Sequence, residues 1–154
     1  MIEVSLTDFV DFLSRNGVAK VSKVRAIKFR KKYDWNYDFW RILREEIVIH
    51  ARAGVPWPRD TLAVMSKVQS EIKKGRFPEA IGDYNKFLKK KKTEWFEPPS
   101  ALLEHEGVRI SENPELGFII DGKPTVIKLY FKNEPLSKKQ VDLTRALMCD
   151  ALQY

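Results

Sequence analysis

Apolar residues in the first part of the chain recur every three or four positions, which is the spacing of an amphipathic helix. The windows with this spacing are 5–16, 22–33, 38–53, 60–74 and 78–88. Ser5 is a typical N-cap, because its hydroxyl accepts a backbone N–H of the first turn, and Gly17 and Gly54 are typical of helix ends. The pattern predicts an all-helical region over residues 1–96.

The pattern changes after residues 97–100, Glu-Pro-Pro-Ser, where paired prolines mark a linker or boundary. Short runs of branched and aromatic residues then predict three strands. These runs are 108–110, 116–120 and 125–131. Asn113-Pro114 and Asp121-Gly122 separate the runs and are typical of turns, so an antiparallel arrangement is expected. A last helix is predicted from Leu136 onward.

Together the elements predict an α+β fold. A helical N-terminal region is expected to pack on a small three-stranded antiparallel sheet with a C-terminal helix. Residues 1–96 would form the basic helical region, and residues 97–154 the antiparallel β-meander plus the last helix. The chain has 154 residues and 18.0 kDa. This is near the usual size of one domain, so the two parts are expected to form one compact unit.

The composition narrows the possible classes of protein. Hydrophobic residues make up 44% of the chain and aromatic residues 12%, which is enough apolar material for a packed core. A single cysteine, Cys149, excludes an internal disulfide and zinc sites built on paired thiolates, and it favours a cytoplasmic location. His50 and His105 are too few for a multi-histidine metal site. No apolar run reaches the roughly 18 residues of a membrane span, so no membrane partner is expected.

Positive charge is concentrated in the N-terminal part of the sequence. Residues 1–92 hold 21 Lys and Arg against 11 Asp and Glu, whereas residues 93–154 hold 7 against 10. The densest stretches are 20–32, with seven basic side chains and no acid, and 86–92, with five lysines. Such stretches are typical of surfaces that contact phosphate groups.

Cations mixed with aromatic rings suit phosphate contacts beside stacking surfaces, and Phe29 and Tyr33 lie at the first stretch. We therefore predict binding of DNA or RNA. The candidate nucleic-acid-binding residues are Lys20, Lys23, Arg25, Lys28, Arg30, Lys31, Lys32, Lys89, Lys90, Lys91 and Lys92. A basic second helix after a glycine turn also suits a helix-turn-helix. Structural alternatives remain: the cations solubilise a helix surface, or lysines 89–92 offset partial negative charge at a helix C-terminus.

Residues 113–130 resemble the core of the PD-(D/E)xK nucleases, in which Pro-Asp enters one strand and Glu-x-Lys lies on the next. Pro114-Glu115 matches the Pro-Asp pair, and the resemblance covers about residues 108–152. In that family two acids bind Mg²⁺, and the lysine helps to orient or activate the attacking water. Here the Glu-x-Lys position falls on Lys128-Leu129-Tyr130. A cation thus replaces a metal ligand, and a tyrosine replaces the lysine.

The resemblance therefore implies a nucleic-acid-binding relative whose catalytic positions have been replaced, with no cofactor. One alternative is a divergent Mg²⁺-dependent nuclease with Glu115, Asp121 and Lys128 as catalytic residues. Glu115 and Asp121 would then be its metal ligands. Further candidates for the acid and the cation are Glu104, Glu106 and Lys123.

Two other interpretations stay open. If Asp121-Gly122 forms a two-residue turn, residue 115 faces residue 128, and Glu115 and Lys128 form a cross-strand ion pair worth ~0.2–1 kcal/mol. That pair would have a purely structural role. The cationic stretches also suit an acidic protein partner, which charge alone does not distinguish from nucleic acid.

Overall fold

The chain divides into two units whose segments alternate along the sequence. The first unit comprises Met1–Tyr33, Pro99–Asn113 and Lys132–Tyr154, and the second comprises Asp34–Pro98 and Pro114–Phe131. This division differs from a boundary at residue 97, since each predicted part contributes to both units. The structure is a computed structural model that describes residues 2–30, 38–55, 71–131 and 134–152, with the backbone alone at 71–74.

Five helices and six strands lie among the described residues. In chain order they are β1 (Ile2–Ser5), α1 (Leu6–Ser14), α2 (Gly17–Lys28), α3 (Arg41–Ala53), α4 (Glu71–Leu88), β2 (Thr93–Trp95), β3 (Ala101–His105), β4 (Val108–Glu112), β5 (Leu116–Ile120), β6 (Lys123–Ile127) and α5 (Lys138–Leu152). Within these ranges, none of the helices has an apolar stretch long enough to cross a membrane.

The first unit contains a mixed three-stranded sheet in the order β1-β4-β3. β1 runs parallel to β4, with Val4 opposite Ile110, and β3 is antiparallel to β4. β1 leads directly into α1, where the Ser5 hydroxyl accepts a hydrogen bond from the backbone N–H of Asp8 as the predicted N-cap. The buried apolar residues of this unit are Val4, Leu6, Val10, Ile110, Met148 and Leu152.

The second unit contains an antiparallel sheet in the order β2-β5-β6, together with α3 and α4. Its buried core residues are Leu43, Ile47, Phe77, Ile81, Tyr84, Leu116 and Phe118. On each helix these residues recur three or four positions apart, so one face of the helix is buried. The helical spacing in the sequence therefore marks the inward face of α3, and that of α4 apart from exposed Phe87.

The predicted α+β fold with a C-terminal helix is confirmed, but the arrangement of strands differs. Two sheets are present instead of one, and the first is mixed. The runs at 108–110 and 116–120 lie in separate sheets, because Asn113-Pro114 carries the chain from the first unit to the second instead of turning it back. The sequence pattern also gives no indication of β1, β2 or β3, which are short and partly exposed.

Two predicted helix boundaries are wrong. α2 begins at Gly17, whereas the pattern places the start at Ser22. α4 is continuous through Gly75 and Pro78, where the pattern predicts a break between two helices. Buried Phe77 stabilises the continuous helix beside the proline, since its face packs into the core of the second unit. The predicted helix start at residue 60 lies outside the described residues.

Candidate nucleic-acid interface

A network of ion pairs joins α1 to the basic residues of and after α2. Lys23 Nζ lies 2.9 Å from Asp8 Oδ1 and 2.7 Å from Asp11 Oδ2. Arg30 Nη1 donates to Asp8 Oδ2 at 2.7 Å, and the Ser5 hydroxyl donates to the same oxygen at 3.0 Å. Two of the predicted nucleic-acid-binding residues, Lys23 and Arg30, therefore fix this segment against α1.

The network keeps the carboxyl group of Asp8 ionised although the side chain is buried. Burial alone would raise the pKa of Asp8, but hydrogen bonds from Arg30, Lys23 and Ser5 together hold that pKa well below its ordinary value. The hydrogen bond with Asp8 likewise raises the pKa of Arg30. Because both cations are compensated by carboxylates, they add little positive potential at the surface.

The other cations of the first basic stretch differ in their surroundings. Lys20 Nζ lies 4.6 Å from the centroid of the Phe12 ring, so its side chain packs on α1. Arg25 and Lys28 are exposed, and Lys28 Nζ lies 5.7 Å from the centroid of the Phe29 ring. The two predicted residues that lie outside the described part of the chain are Lys31 and Lys32. Arg25 and Lys28 are thus the exposed cations of α2.

Four consecutive lysines form an exposed connection between α4 and β2, which we call the lysine turn (Lys89–Lys92). The backbone N–H of Lys91 donates to the carbonyl of Leu88 at 3.0 Å. Lys90 has a φ of 64°, the left-handed conformation that commonly ends a helix. The backbone of the turn therefore has a defined conformation, and all four of its lysines are exposed.

The lysine turn is tied to the β5–β6 hairpin of the same unit. The backbone N–H of Asp121 donates to the carbonyl of Lys92 at 3.1 Å, and Asp121 Oδ1 accepts from the backbone N–H of Lys92 at 3.4 Å. Asp121 and Gly122 have φ values of 49° and 83°, as a type I′ turn requires. Lys123 follows this turn and is exposed. The predicted two-residue turn is therefore present, and a fifth lysine follows it directly in the sequence.

An exposed aromatic ring borders the lysine turn. Phe87 is 39% exposed, and Lys91 Nζ lies 4.5 Å from the centroid of its ring. Lys86, by contrast, is offset by Asp83, with 3.0 Å between Nζ and Oδ1. Lys89, Lys90 and Lys92 are the other lysines of the turn. Within the described residues, their ammonium groups have no carboxylate partner. A ring beside uncompensated cations offers a base a stacking surface next to phosphate contacts.

Glu115 lies opposite Lys128, as the turn at residues 121–122 predicts. Lys128 Nζ donates to Glu115 Oε1 at 2.6 Å, and the backbone N–H of Leu129 donates to Glu115 Oε2 at 2.8 Å. Both oxygens of the carboxylate thus already accept hydrogen bonds. Mg²⁺ binding at Glu115 would have to displace the ammonium group and bring a second cation close to it.

The structure does not bring the two predicted metal ligands together. Glu115 precedes β5 and Asp121 follows it, so the rise of the strand places them about 20 Å apart. Glu104 accepts a hydrogen bond from Arg109 Nε at 2.6 Å, and Glu106 lies in the turn after β3 with a φ of 45°; both belong to the first unit. In the described part of the chain, no three His, Cys, Asp or Glu side chains are arranged to hold a metal ion.

Sequence reasoning misses one buried acid. Glu112 is fully buried at the end of β4, and neither of its carboxylate oxygens has a hydrogen-bond partner among the described residues. Burial and, to a smaller extent, the negative charge of Asp150 raise the pKa of Glu112. The signal was available, because strand alternation from Ile110 places residue 112 on the buried face once β4 extends past residue 110.

The charge asymmetry along the sequence is not an asymmetry between the units. The first unit contains 13 Lys and Arg against 9 Asp and Glu, and the second contains 15 against 12. Both units are moderately cationic because residues 1–92 are divided between them. The cationic character that matters for a ligand is therefore local, and among the described residues the longest continuous run of cations is the lysine turn.

No protein-family model, curated protein sequence or solved structure matches this chain. The resemblance to PD-(D/E)xK nucleases thus depends on the motif residues alone, and function has to be argued from the geometry.

The sequence pattern does not predict that the ring of Phe87 is exposed, because it groups Phe87 with the apolar stripe of its helix. The buried stripe of α4 instead includes Tyr84 and the half-buried Leu88, which leaves residue 87 at its edge.

Proposed function

We propose that the protein binds nucleic acid through the lysine turn and does not cleave it efficiently. The observation that carries the proposal is the run of four exposed lysines beside the exposed ring of Phe87. Ammonium groups neutralise backbone phosphates, and an aromatic ring stacks on an unpaired base. This combination favours single-stranded DNA or RNA over a duplex, whose bases are not free to stack on a side chain.

The structural alternative for these lysines explains one of them. A cation at the end of a helix stabilises the terminal carbonyl groups by about 0.3–1 kcal/mol. Lys91 has this role, since its ammonium group donates to the carbonyl of Phe87. The side chains of Lys89, Lys90 and Lys92 show no such bond among the described residues, and they remain available to a ligand.

The absence of efficient cleavage is supported by the surroundings of Glu115. Its carboxylate is held by Lys128 and by the backbone of Leu129, and Asp121 lies at the opposite end of β5. Phosphodiester hydrolysis by this class of enzyme needs converging acids that share a metal ion. The chain therefore fits a relative of PD-(D/E)xK nucleases that binds its ligand with replaced catalytic positions.

The experiment titrates the protein into a fluorescein-labelled single-stranded oligonucleotide at low salt. Fluorescence anisotropy measures the binding. The test variant carries Lys89→Gln, Lys90→Gln and Lys92→Gln. We expect it to bind about 10- to 100-fold more weakly, because three phosphate contacts are lost. Its matched control carries Lys138→Gln, Lys139→Gln and Arg145→Gln, which remove the same charge from exposed positions of α5.

The control variant is expected to lose less than about threefold, since its cations only add to long-range attraction. Equal losses in the two variants would mean that net charge, and not the lysine turn, causes binding. A separate Phe87→Ala variant should weaken binding of the single strand by about tenfold and leave duplex binding nearly unchanged.

A further inference from the structure

Helix α2 is oriented with its three valines toward solvent. Its half-buried side chains are Lys20, Lys23 and Ile27, which recur three or four positions apart and form the inner line. The described helix has no fully buried residue. The ion pairs of Lys23 with Asp8 and Asp11 determine this orientation, because they hold a polar side chain against α1.

The opposite side of α2 carries a continuous line of exposed residues, which we call the outer seam (Val18, Val21, Arg25 and Lys28). Their spacing of three, four and three positions is that of the contact line between two packed helices. Val18 is 82% exposed and Val21 53% exposed. Val24, at 46%, and Phe29, at 75%, border the seam on either side.

The outer seam has an apolar half and a cationic half. Its N-terminal half is apolar, and its C-terminal half is cationic with no acidic residue anywhere in α2. Three exposed valines on one short helix, with exposed Phe29 directly after it, are more than solubility favours, and such clusters mark interaction sites. The charge and the apolar residues together specify what a complementary surface must offer.

We infer that the outer seam binds an acidic amphipathic helix of another protein. Such a helix would place apolar side chains against Val18 and Val21 and carboxylates against Arg25 and Lys28. The seam spans about 15 Å at the rise of an α-helix, so the contact covers about three turns. Helix-to-helix packing of this kind uses contacts at three- and four-residue intervals, as the seam provides.

Other occupants fit the seam less well. Nucleic acid would gain from Arg25 and Lys28 but would leave the valines facing phosphates. A second copy of α2 packed in parallel would set like charges against each other, and an antiparallel copy would set cations against valines. Binding to anionic lipid by a short segment is typical of about four to eight cations, whereas the seam has two.

The test uses synthetic helical peptides of about 18 residues and the full-length protein. Each peptide has four positions, spaced like those of the outer seam, that would face it. One peptide carries Leu at the first two of these positions and Glu at the last two, and a second carries Glu first and Leu last. The two peptides cover parallel and antiparallel packing. A third and a fourth peptide replace Glu by Lys and serve as charge controls. Binding is followed by fluorescence anisotropy in low salt.

We expect one of the Glu peptides to bind, and the Lys peptides to bind at least about tenfold more weakly. Val18→Ser with Val21→Ser should weaken binding by about tenfold or more. Arg25→Glu with Lys28→Glu should abolish it and transfer binding to a Lys peptide. Both variants change exposed side chains, and the circular dichroism of each verifies that the helices are retained.

A matched control replaces exposed Val141 by Ser and exposed Lys138 and Lys139 by Glu on α5 of the same unit. This control should bind the Glu peptide like the unmodified chain. The inference is overturned if neither Glu peptide binds, or if the control loses as much affinity as the seam variants. It is also overturned if the unmodified chain binds an oligonucleotide or anionic vesicles but neither Glu peptide, and the seam variants lose that binding. The lysine turn belongs to the other unit, so failure here leaves the proposed function unaffected.

Discussion

Lys128 Nζ lies 2.6 Å from Glu115 Oε1, directly across the hairpin formed by β5 and β6. The register that pairs them follows from the type I′ turn at Asp121 and Gly122. The ion pair and the backbone N–H of Leu129 together occupy both oxygens of the Glu115 carboxylate. The contact therefore ties the two ends of the hairpin together beyond the paired strand residues.

Loss of this partner should destabilise the second unit. Lys128→Met leaves a mostly buried carboxylate with one hydrogen bond fewer, which is expected to lower the free energy of unfolding by about 1–2 kcal/mol. Urea denaturation at pH 7 measures the change. Lys123→Met, at an exposed position of the same hairpin, is the control and should change stability by less than about 0.5 kcal/mol. A Lys128 variant as stable as the control would show that the pair has no structural value.

Asp8→Asn should destabilise the first unit by about 2–3 kcal/mol at pH 7, because Lys23 and Arg30 lose a buried carboxylate. The pKa of Asp8 is lower in the folded than in the unfolded protein. Its stabilisation is therefore complete above the unfolded pKa of about 4 and is lost as pH falls below that value.

Unfolding curves of the two proteins at pH 7 and at pH 3 check this. The difference in the free energy of unfolding between the Asp8 variant and the unmodified chain should be smaller at pH 3 than at pH 7. Asp142→Asn, at an exposed position of α5, should have little effect at either pH. A constant difference between the Asp8 variant and the unmodified chain would mean that the ion pairs are not its source.

The effect of Glu112 on stability should have the opposite pH dependence to that of Asp8. Its pKa is raised in the folded protein, so the unfolded chain releases the proton first and stability falls as pH rises above about 4. Glu112→Met removes this penalty and should raise the free energy of unfolding by about 1–3 kcal/mol at pH 7. The gain should diminish toward pH 4, where the carboxyl group is neutral. Urea denaturation across this range tests the prediction, and a destabilised variant at pH 7 would refute it.

Gly117→Ala should strongly destabilise the second unit. A Cβ at Gly117 would lie 2.5 Å from the carbonyl oxygen of Phe96, the residue whose backbone N–H donates to the carbonyl of Gly117 at 3.0 Å. We expect a loss of more than about 2 kcal/mol in thermal or urea unfolding. Gly82→Ala is the control: it lies in α4 with open space around its Cβ, and it should stabilise by about 0.5–1 kcal/mol. Equal effects of the two substitutions would contradict the packing of Phe96 on Gly117.

Local features of this fold were predictable, whereas long-range features were not. The Asp121-Gly122 turn sets the hairpin register through the backbone preferences of two adjacent residues. β1 pairs in parallel with β4 across more than a hundred residues of sequence, and no local pattern in Ile2–Ser5 specifies that partner. The division into interleaved units follows from the same long-range pairing.

The candidate site was predictable in part for the same reason. The lysine turn is a continuous stretch, so its cations stay together in the structure. Apolar residues recur at helical spacing along α2, which favours an apolar inward face. The acids of α1 instead draw Lys23 to the inner side, and Val24 is left 46% exposed. Which face of a weakly amphipathic helix is buried depends on its neighbours, and sequence spacing alone does not contain that information.

The most direct test of nucleic-acid binding by the lysine turn is the salt dependence of oligonucleotide affinity. For a single strand, the logarithm of affinity should fall with the logarithm of salt concentration with a slope of about −2, for three phosphate contacts. The variant with Gln at positions 89, 90 and 92 should reduce this slope by about 2. A slope near zero in the unmodified chain, or an unchanged slope in that variant, would contradict the account.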